Sequence, residues 1–117
     1  MPASWKKGEI HLMRDGGTIA TKPRPFLVLS RVELNGRYHV LGAPFSTQKL
    51  NERSRQKQCV MFEQGEFGLF ENCALQVDSI TTIPFDKIDT SQQRLGTLSP
   101  DKLAEVEEAI RYVFSLQ

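Results

Sequence analysis

The hydrophobic pattern of this chain changes its period once, at Ser99, and that single change limits the folds open to it. From there Leu103, Val106, Ala109, Ile110, Val113 and Phe114 recur at spacings of three and four, the mark of a helix with one apolar face. Ser99 as N-cap, Pro100 at the first helical position and Asp101 in the first turn set its start. Upstream, the apolar residues come in short runs of strand length bounded by Gly, Pro and Asn. The expectation is a mainly β (α+β) chain, a small and strongly bent β-structure with one C-terminal α-helix.

The strands can be placed. Glu9 to Met13 alternates, with Ile10 and Leu12 on one face and Glu9, His11 and Met13 on the other. Arg14 to Pro23, with Asp15-Gly16-Gly17 as turn chemistry, reads as a mobile loop. Pro25-Phe26-Leu27-Val28-Leu29-Ser30 reads as a buried strand opening on a proline, where a missing donor is tolerated. Asn35-Gly36 marks a hairpin turn into Arg37 to Phe45. Gln48 to Gln58 is polar and basic without Gly or Pro, and is expected to be a long exposed loop leading to Cys59-Val60-Met61-Phe62. After a turn at Gly65 to Gly68, Asn72 to Ile83 reads as one strand. Its alternation puts Ala74, Gln76, Asp78 and Ile80 on one face and Cys73, Leu75, Val77 and Ser79 on the other.

Composition then excludes whole classes of function. The 117 residues are expected to form one domain over 1–117. The longest apolar runs, Pro25 to Leu29 and Val40 to Phe45, fall far short of the ~20 residues that span a bilayer. No signal-peptide run follows Met1, so a cytoplasmic location is expected, with Cys59 and Cys73 as reduced thiols. His11 and His39 lie at no metal-ligand spacing from either cysteine, and neither metal nor cofactor is expected. Charge is divided unevenly: residues 1–58 carry eleven Lys and Arg against four Asp and Glu, and the remainder four against ten. A basic half of this kind suits a polyanion, or else is a dipolar and passive surface.

Six segments, taken in order, carry a resemblance. Lys7-Gly8-Glu9-Ile10, Arg24-Pro25-Phe26-Leu27-Val28-Leu29-Ser30, Ala43-Pro44-Phe45-Ser46-Thr47, Val77-Asp78-Ser79-Ile80-Thr81-Thr82-Ile83, Gly96-Thr97-Leu98-Ser99 and the closing helix resemble the MazF/PemK/Kid toxins over nearly the whole chain. The resemblance implies a small SH3-like, CcdB-like β-barrel, a homodimer, a cognate antitoxin protein as partner, and metal-independent endoribonuclease action on single-stranded RNA. The chain departs from the family pattern at Gln76 and Thr81, where arginines are usual, at Thr18 in place of a loop histidine, and at His11 in place of an aromatic residue.

Metal-free RNA cleavage uses the 2′-hydroxyl as nucleophile, so a protein must supply a base, an acid for the leaving 5′-oxygen and a cation for the phosphorane. Arg24 is the candidate cation, since a guanidinium offers a planar fork of donors to phosphate and the buried strand behind it would fix its place; the alternative is an ordinary surface arginine. Ser46 corresponds to the family's strand-end hydroxyl, which can bond the scissile phosphate, or merely satisfy backbone groups in a turn. Asp78 matches an acid assigned in some relatives as base or as orienter of the arginine; a half-buried carboxylate there would need Arg24 or a backbone donor beside it. His11 is a candidate replacement acid or base, and otherwise a packed strand histidine. Lys22, Thr47, Lys49, Arg53, Arg55, Lys57 and Gln76 are the candidate RNA contacts.

Two other classes compete. One is a non-catalytic binding module of the same fold, a gyrase-poison-like inhibitor or a substrate-dead relative. A gyrase-poison-like inhibitor would act through exposed C-terminal residues, whereas Phe114-Ser115-Leu116-Gln117 reads as the tail of a packed helix. The other is an SH3-like peptide binder, which one Trp and two Tyr supply poorly.

Overall fold

The structure is a computed structural model describing residues 5–14, 23–31, 39–89 and 94–116. Its strands are β1 (Glu9–Met13), β2 (Arg24–Val28), β3 (His39–Ser46), β4 (Cys59–Phe62), β5 (Cys73–Gln76), β6 (Thr81–Pro84) and β7 (Gly96–Thr97), and its helices α1 (Leu50–Arg53) and α2 (Pro100–Val113). All pairings are antiparallel, in the order β4-β5-β3-β2-β1-β7 with β6 on β3.

β3 shapes the sheet. Its first half, His39 to Gly42, pairs with β6, its end at Phe45 and Ser46 pairs with β5, and Gly42 to Pro44 pair with β2. One strand shared by two runs of sheet bends the whole into a half-barrel. Period-two alternation then feeds two cores. Leu27 joins Ile10, Phe45, Phe62 and Leu75 under Val106 and Ala109 of α2, while Phe26 and Val28 join Trp5, Val40 and Ile83 on the opposite face.

α2 begins as its capping residues predict: Ser99 Oγ accepts from the Lys102 N–H at 3.2 Å, with Pro100 at the first turn. The adjacent, antiparallel β2 and β3 agree with a hairpin, although Asn35-Gly36 lies outside the described residues, as do Asp15-Gly16-Gly17 and Thr18.

β1 is paired along both edges by β2 and β7, and a core lies on each of its faces. Glu9 and His11 are therefore buried, and they satisfy each other. Glu9 Oε1 accepts from the Lys6 backbone N–H at 3.0 Å and lies 3.0 Å from His11 Nε2, while Oε2 is 3.4 Å from Arg94.

Three expectations are corrected. Gln48 to Gln58 contains α1, opened by Lys49 in the left-handed region at φ 54°. Asn72 to Ile83 is two strands, not one, because Val77–Ser79 forms a 3₁₀ turn where β5 leaves β3 and β6 rejoins it; Asp78 is exposed on that turn and not half-buried. The end of α2 is not packed: Ser115 turns the chain at φ 56°, leaving Phe114 56% and Leu116 60% exposed beside Tyr112.

Candidate active site

A cleft of about 550 Å³ opens where the start of β2, the end of β3 and the loop before β5 converge. Arg24 stands at the first position of β2, exposed, with Phe26, Leu27 and Val28 buried behind it. A cation is thus carried on a strand whose following residues are locked in two cores, so its backbone has little freedom. Ser46 ends β3 opposite Ala74 of β5, and its Oγ accepts from the Gln48 N–H at 3.1 Å. That bond uses a lone pair and leaves the hydroxyl hydrogen to donate elsewhere. Thr47 and Gln48 are exposed at the same rim.

Gln76 ends β5 and also lines the cleft, its Oε1 accepting from the Ser79 hydroxyl at 3.3 Å. This fastens the side chain to the 3₁₀ turn and leaves its amide nitrogen as a donor. Of the residues proposed from sequence, Arg24, Ser46, Thr47 and Gln76 therefore meet in one cleft, while Asp78 sits on the outer side of the turn and is not among the lining residues. His11 is likewise elsewhere, two positions before Met13 but facing Trp5 and Phe26.

The basic residues disperse. Lys49 is exposed, the next residue after the rim's Gln48, and Arg53 folds back so that its Nε donates to the Gln48 carbonyl at 3.0 Å, bracing the turn that carries Ser46. Arg55 is exposed beyond α1. Lys57 lies on another side, its ammonium 5.8 Å from the centre of the Tyr112 ring. Lys22 lies outside the described residues. Two further cations of the basic half are tied to acids of the other: Lys7 to Glu107 at 2.8 Å, which holds that carboxyl below its ordinary range, and Arg14 to Asp89 at 3.4 Å.

Sequence reasoning missed Phe70 and Glu71, which line the cleft from the loop before β5. It also missed Cys73, which lines the cleft as a buried thiol. Burial first, and then Glu71 and Glu66, push its pKa up to about 11, so it is a packing residue and not a nucleophile. Among the described residues no group of three or more His, Cys, Asp or Glu is placed to hold a metal ion, and no helix is long and apolar enough to cross a membrane.

Comparison with known proteins fits this architecture. The PemK-like, MazF-like toxin of type II toxin-antitoxin systems matches residues 6–114. The chain belongs to the PemK/MazF toxin family. Among solved structures, the Mycobacterium tuberculosis toxin MazF-mt6 is similar over 93% of this chain and 98% of its own, at 24% identity and a TM-score of 0.73. MazE-MazF from Deinococcus radiodurans is similar over 98% and 100%, at 16% identity and a TM-score of 0.74. An endoribonuclease in complex with its cognate antitoxin, from a mycobacterial species, is similar over 97% and 98%, at 16% identity and a TM-score of 0.73. At these identities the likeness is one of fold. No curated protein sequence matches closely enough to add a nearer relative.

Proposed function

We propose that this toxin is a metal-independent endoribonuclease that cleaves single-stranded RNA in the cleft at Arg24. The observation carrying this reading is the convergence of Arg24, Ser46, Thr47 and Gln76, from three separate strand ends, on one opening. In the proposed reaction the substrate's 2′-hydroxyl gives its proton to solvent as its oxygen attacks the adjacent phosphorus, the P–O5′ bond breaks and the 5′-oxygen takes a proton from solvent, so the products are a 2′,3′-cyclic phosphate and a 5′-hydroxyl. Arg24 stabilises the charge that grows on the phosphorane oxygens. The Ser46 hydroxyl donates to the same phosphate, and the Gln76 amide and Thr47 hydroxyl hold the neighbouring backbone. Lys49, Arg53 and Arg55 continue the cationic track along the strand.

Incubation with a long single-stranded RNA in EDTA tests the reading. Discrete cuts ending in a cyclic phosphate, lost in Arg24→Ala while the fold persists, are the expected result; intact RNA overturns it. The second reading, a non-catalytic binder, draws on the exposed Phe114 and Leu116. It would leave RNA intact and lose its activity on removal of those two side chains.

Regulation and assembly follow the same surface logic. An antitoxin with an acidic and apolar tail is proposed to fold over the cleft, steered by its cations. The polypeptide of the neighbouring reading frame should then compete with RNA; simultaneous binding would contradict the idea. A homodimer in the cytoplasm is also proposed, covering the apolar side chains at the end of α2. Light scattering that finds 13.3 kDa particles at every concentration would refute it.

A further inference from the structure

The loop before β5 displays an apolar ring in water on a hydrogen-bonded, closely packed backbone. Phe70 is 62% exposed, although its neighbour Leu69 is 3% exposed and Cys73 three positions on is equally buried. Exposure here is not the result of a loose loop. The Gly65 N–H donates to the Leu69 carbonyl at 2.9 Å, the Gln64 N–H to Asn72 Oδ1 at 2.7 Å, and the Glu63 N–H to Glu66 Oε1 at 2.8 Å. The loop also rests directly on the backbone entering β7. A methyl group at Gly68 would lie 2.1 Å from the Leu95 carbonyl oxygen, and one at Gly96 2.1 Å from that of Phe67. The backbone that carries this aromatic side chain is therefore held in place at the mouth of the cleft lined by Arg24 and Ser46.

Beside it stands a carboxylate that the phosphate chemistry does not want. Glu71 lines the same cleft, is exposed, and has no hydrogen-bond or ion-pair partner among the described residues. An acid there repels a phosphate but suits a donor-bearing base edge. A carboxylate presents two acceptors side by side, and guanine alone of the four bases presents two adjacent donors, N1–H and N2–H, on its Watson–Crick edge.

We propose that Phe70 and Glu71 form a base-reading subsite in which an unstacked guanine lies on the Phe70 ring and pairs its edge with Glu71, next to the phosphate bound at Arg24. This rests on the proposed RNA-directed function and adds its specificity. The division of labour is general: stacking supplies sequence-tolerant affinity, and edge hydrogen bonds supply the choice of base.

The test uses the full chain and fluorescent pentanucleotides with 2′-O-methyl groups throughout, which bar 2′-hydroxyl attack, and with one position set to G, A, C, U or inosine. Wild type should prefer G over U by roughly tenfold or more, with inosine, which lacks the N2 donor, well below guanosine. Phe70→Ala should weaken all five by about five- to a hundredfold, and Phe70→Trp should restore them. Glu71→Gln should collapse the preference for G while leaving affinity for U unchanged or raised. Unfolding midpoints should match wild type throughout, as both side chains are exposed.

The outcomes separate this subsite from the cleavage reading. Discrete RNA cleavage with no base preference and no effect of Phe70→Ala overturns the subsite and leaves the nuclease standing. Base-selective, Phe70-dependent binding without cleavage does the reverse. No binding by wild type overturns the subsite. Loss of binding to the neighbouring-frame polypeptide in Phe70→Ala, with RNA binding intact, would make Phe70 a protein-docking residue and overturn it as well.

Discussion

Two grooves lined by described residues invite comparison, and the larger of the two is the less informative. Between β4 and α2 lies an opening of about 860 Å³ lined by Lys57, Val60, Met61, Lys102, Arg111 and Tyr112 among others. Its cations are occupied: Lys102 bonds Glu105 at 3.1 Å and lies over the Phe62 ring, Arg111 bonds Glu108 at 2.6 Å, and Lys57 sits over Tyr112. The cleft at Arg24 is smaller, yet it combines a spare hydroxyl hydrogen on Ser46, a spare carboxylate on Glu71 and an uncovered ring on Phe70, all on backbone fixed by packing. Volume measures where something fits. Uncommitted polar groups on a rigid frame measure where something is held.

The sharpest way to break this comparison is one arginine from each groove. Arg24→Ala should lower RNA cleavage by about 10² to 10³-fold, the usual loss when a preorganised charge-stabilising donor is removed, whereas Arg111→Ala should change it by less than about twofold, as an exposed i,i+3 pair contributes little. Equal losses in cleavage assays would erase the distinction between the grooves.

Rigidity comes next. Gly68→Ala forces a methyl group against the Leu95 carbonyl and demands an L-residue at φ +83°, so chemical denaturation should show a loss of about 3 kcal/mol. Gly65→Ala, at φ +90° with nothing within 4 Å, should lose about 1 kcal/mol, the conformational part alone. Similar losses would mean that the loop does not rest on β7.

A smaller effect concerns charge outside the grooves proper. The double reversal Arg53→Glu, Arg55→Glu should flatten the salt dependence of RNA affinity by about 1.4 in the log-log slope, roughly 0.7 for each phosphate left without its cation. Lys57→Glu, in the other groove, should leave the slope unchanged. Titration of binding from low to high salt reads both.

The smallest effect contrasts the two thiols, one in each groove's lining. Iodoacetamide at neutral pH should label the half-buried Cys59 well before Cys73. The folded state keeps the Cys73 proton more tightly than the unfolded chain does. Its contribution to stability is therefore intact below about pH 9.0 and is lost as pH climbs toward about 11. Cys73→Ala should remove that part of the alkaline decline in unfolding midpoint.

How far the sequence carried can be judged element by element. α2 was legible because three local signals, cap, proline and period, agree with its tertiary role. β2 was legible from its apolar run. α1 was not: it has no buried residue to set a period and no side-chain cap, only Lys49 in a left-handed conformation. The break at Asp78 was hidden because Val77 stays buried through the turn, so alternation continues while the backbone does not. Burial of Glu9 and His11 was invisible for a related reason, since alternation says which residues share a face and not what covers it. In the cleft, Arg24, Ser46 and Gln76 were found because the segments that carry the family resemblance mark those strand ends. Phe70 and Glu71 were not, because the glycine-rich stretch around them reads as punctuation; the neglected signal was a second aromatic residue within a few positions of Phe67 in a polar turn.

The pairing of β1 with β7 sets an order of events. β1 is translated before the other described strands, yet its outer edge, the Arg94 partner of Glu9 and the Glu107 partner of Lys7 all come from residues 94 onward. Every cleft residue is synthesised before them. While the ribosome is still making β7 and α2, the sheet beneath the cleft has an open edge and an uncovered core, and pairings this distant in sequence close slowly. The nascent chain thus carries its full set of cleft side chains without the frame that aligns them, and the delay built into the topology separates making the polypeptide from completing its site.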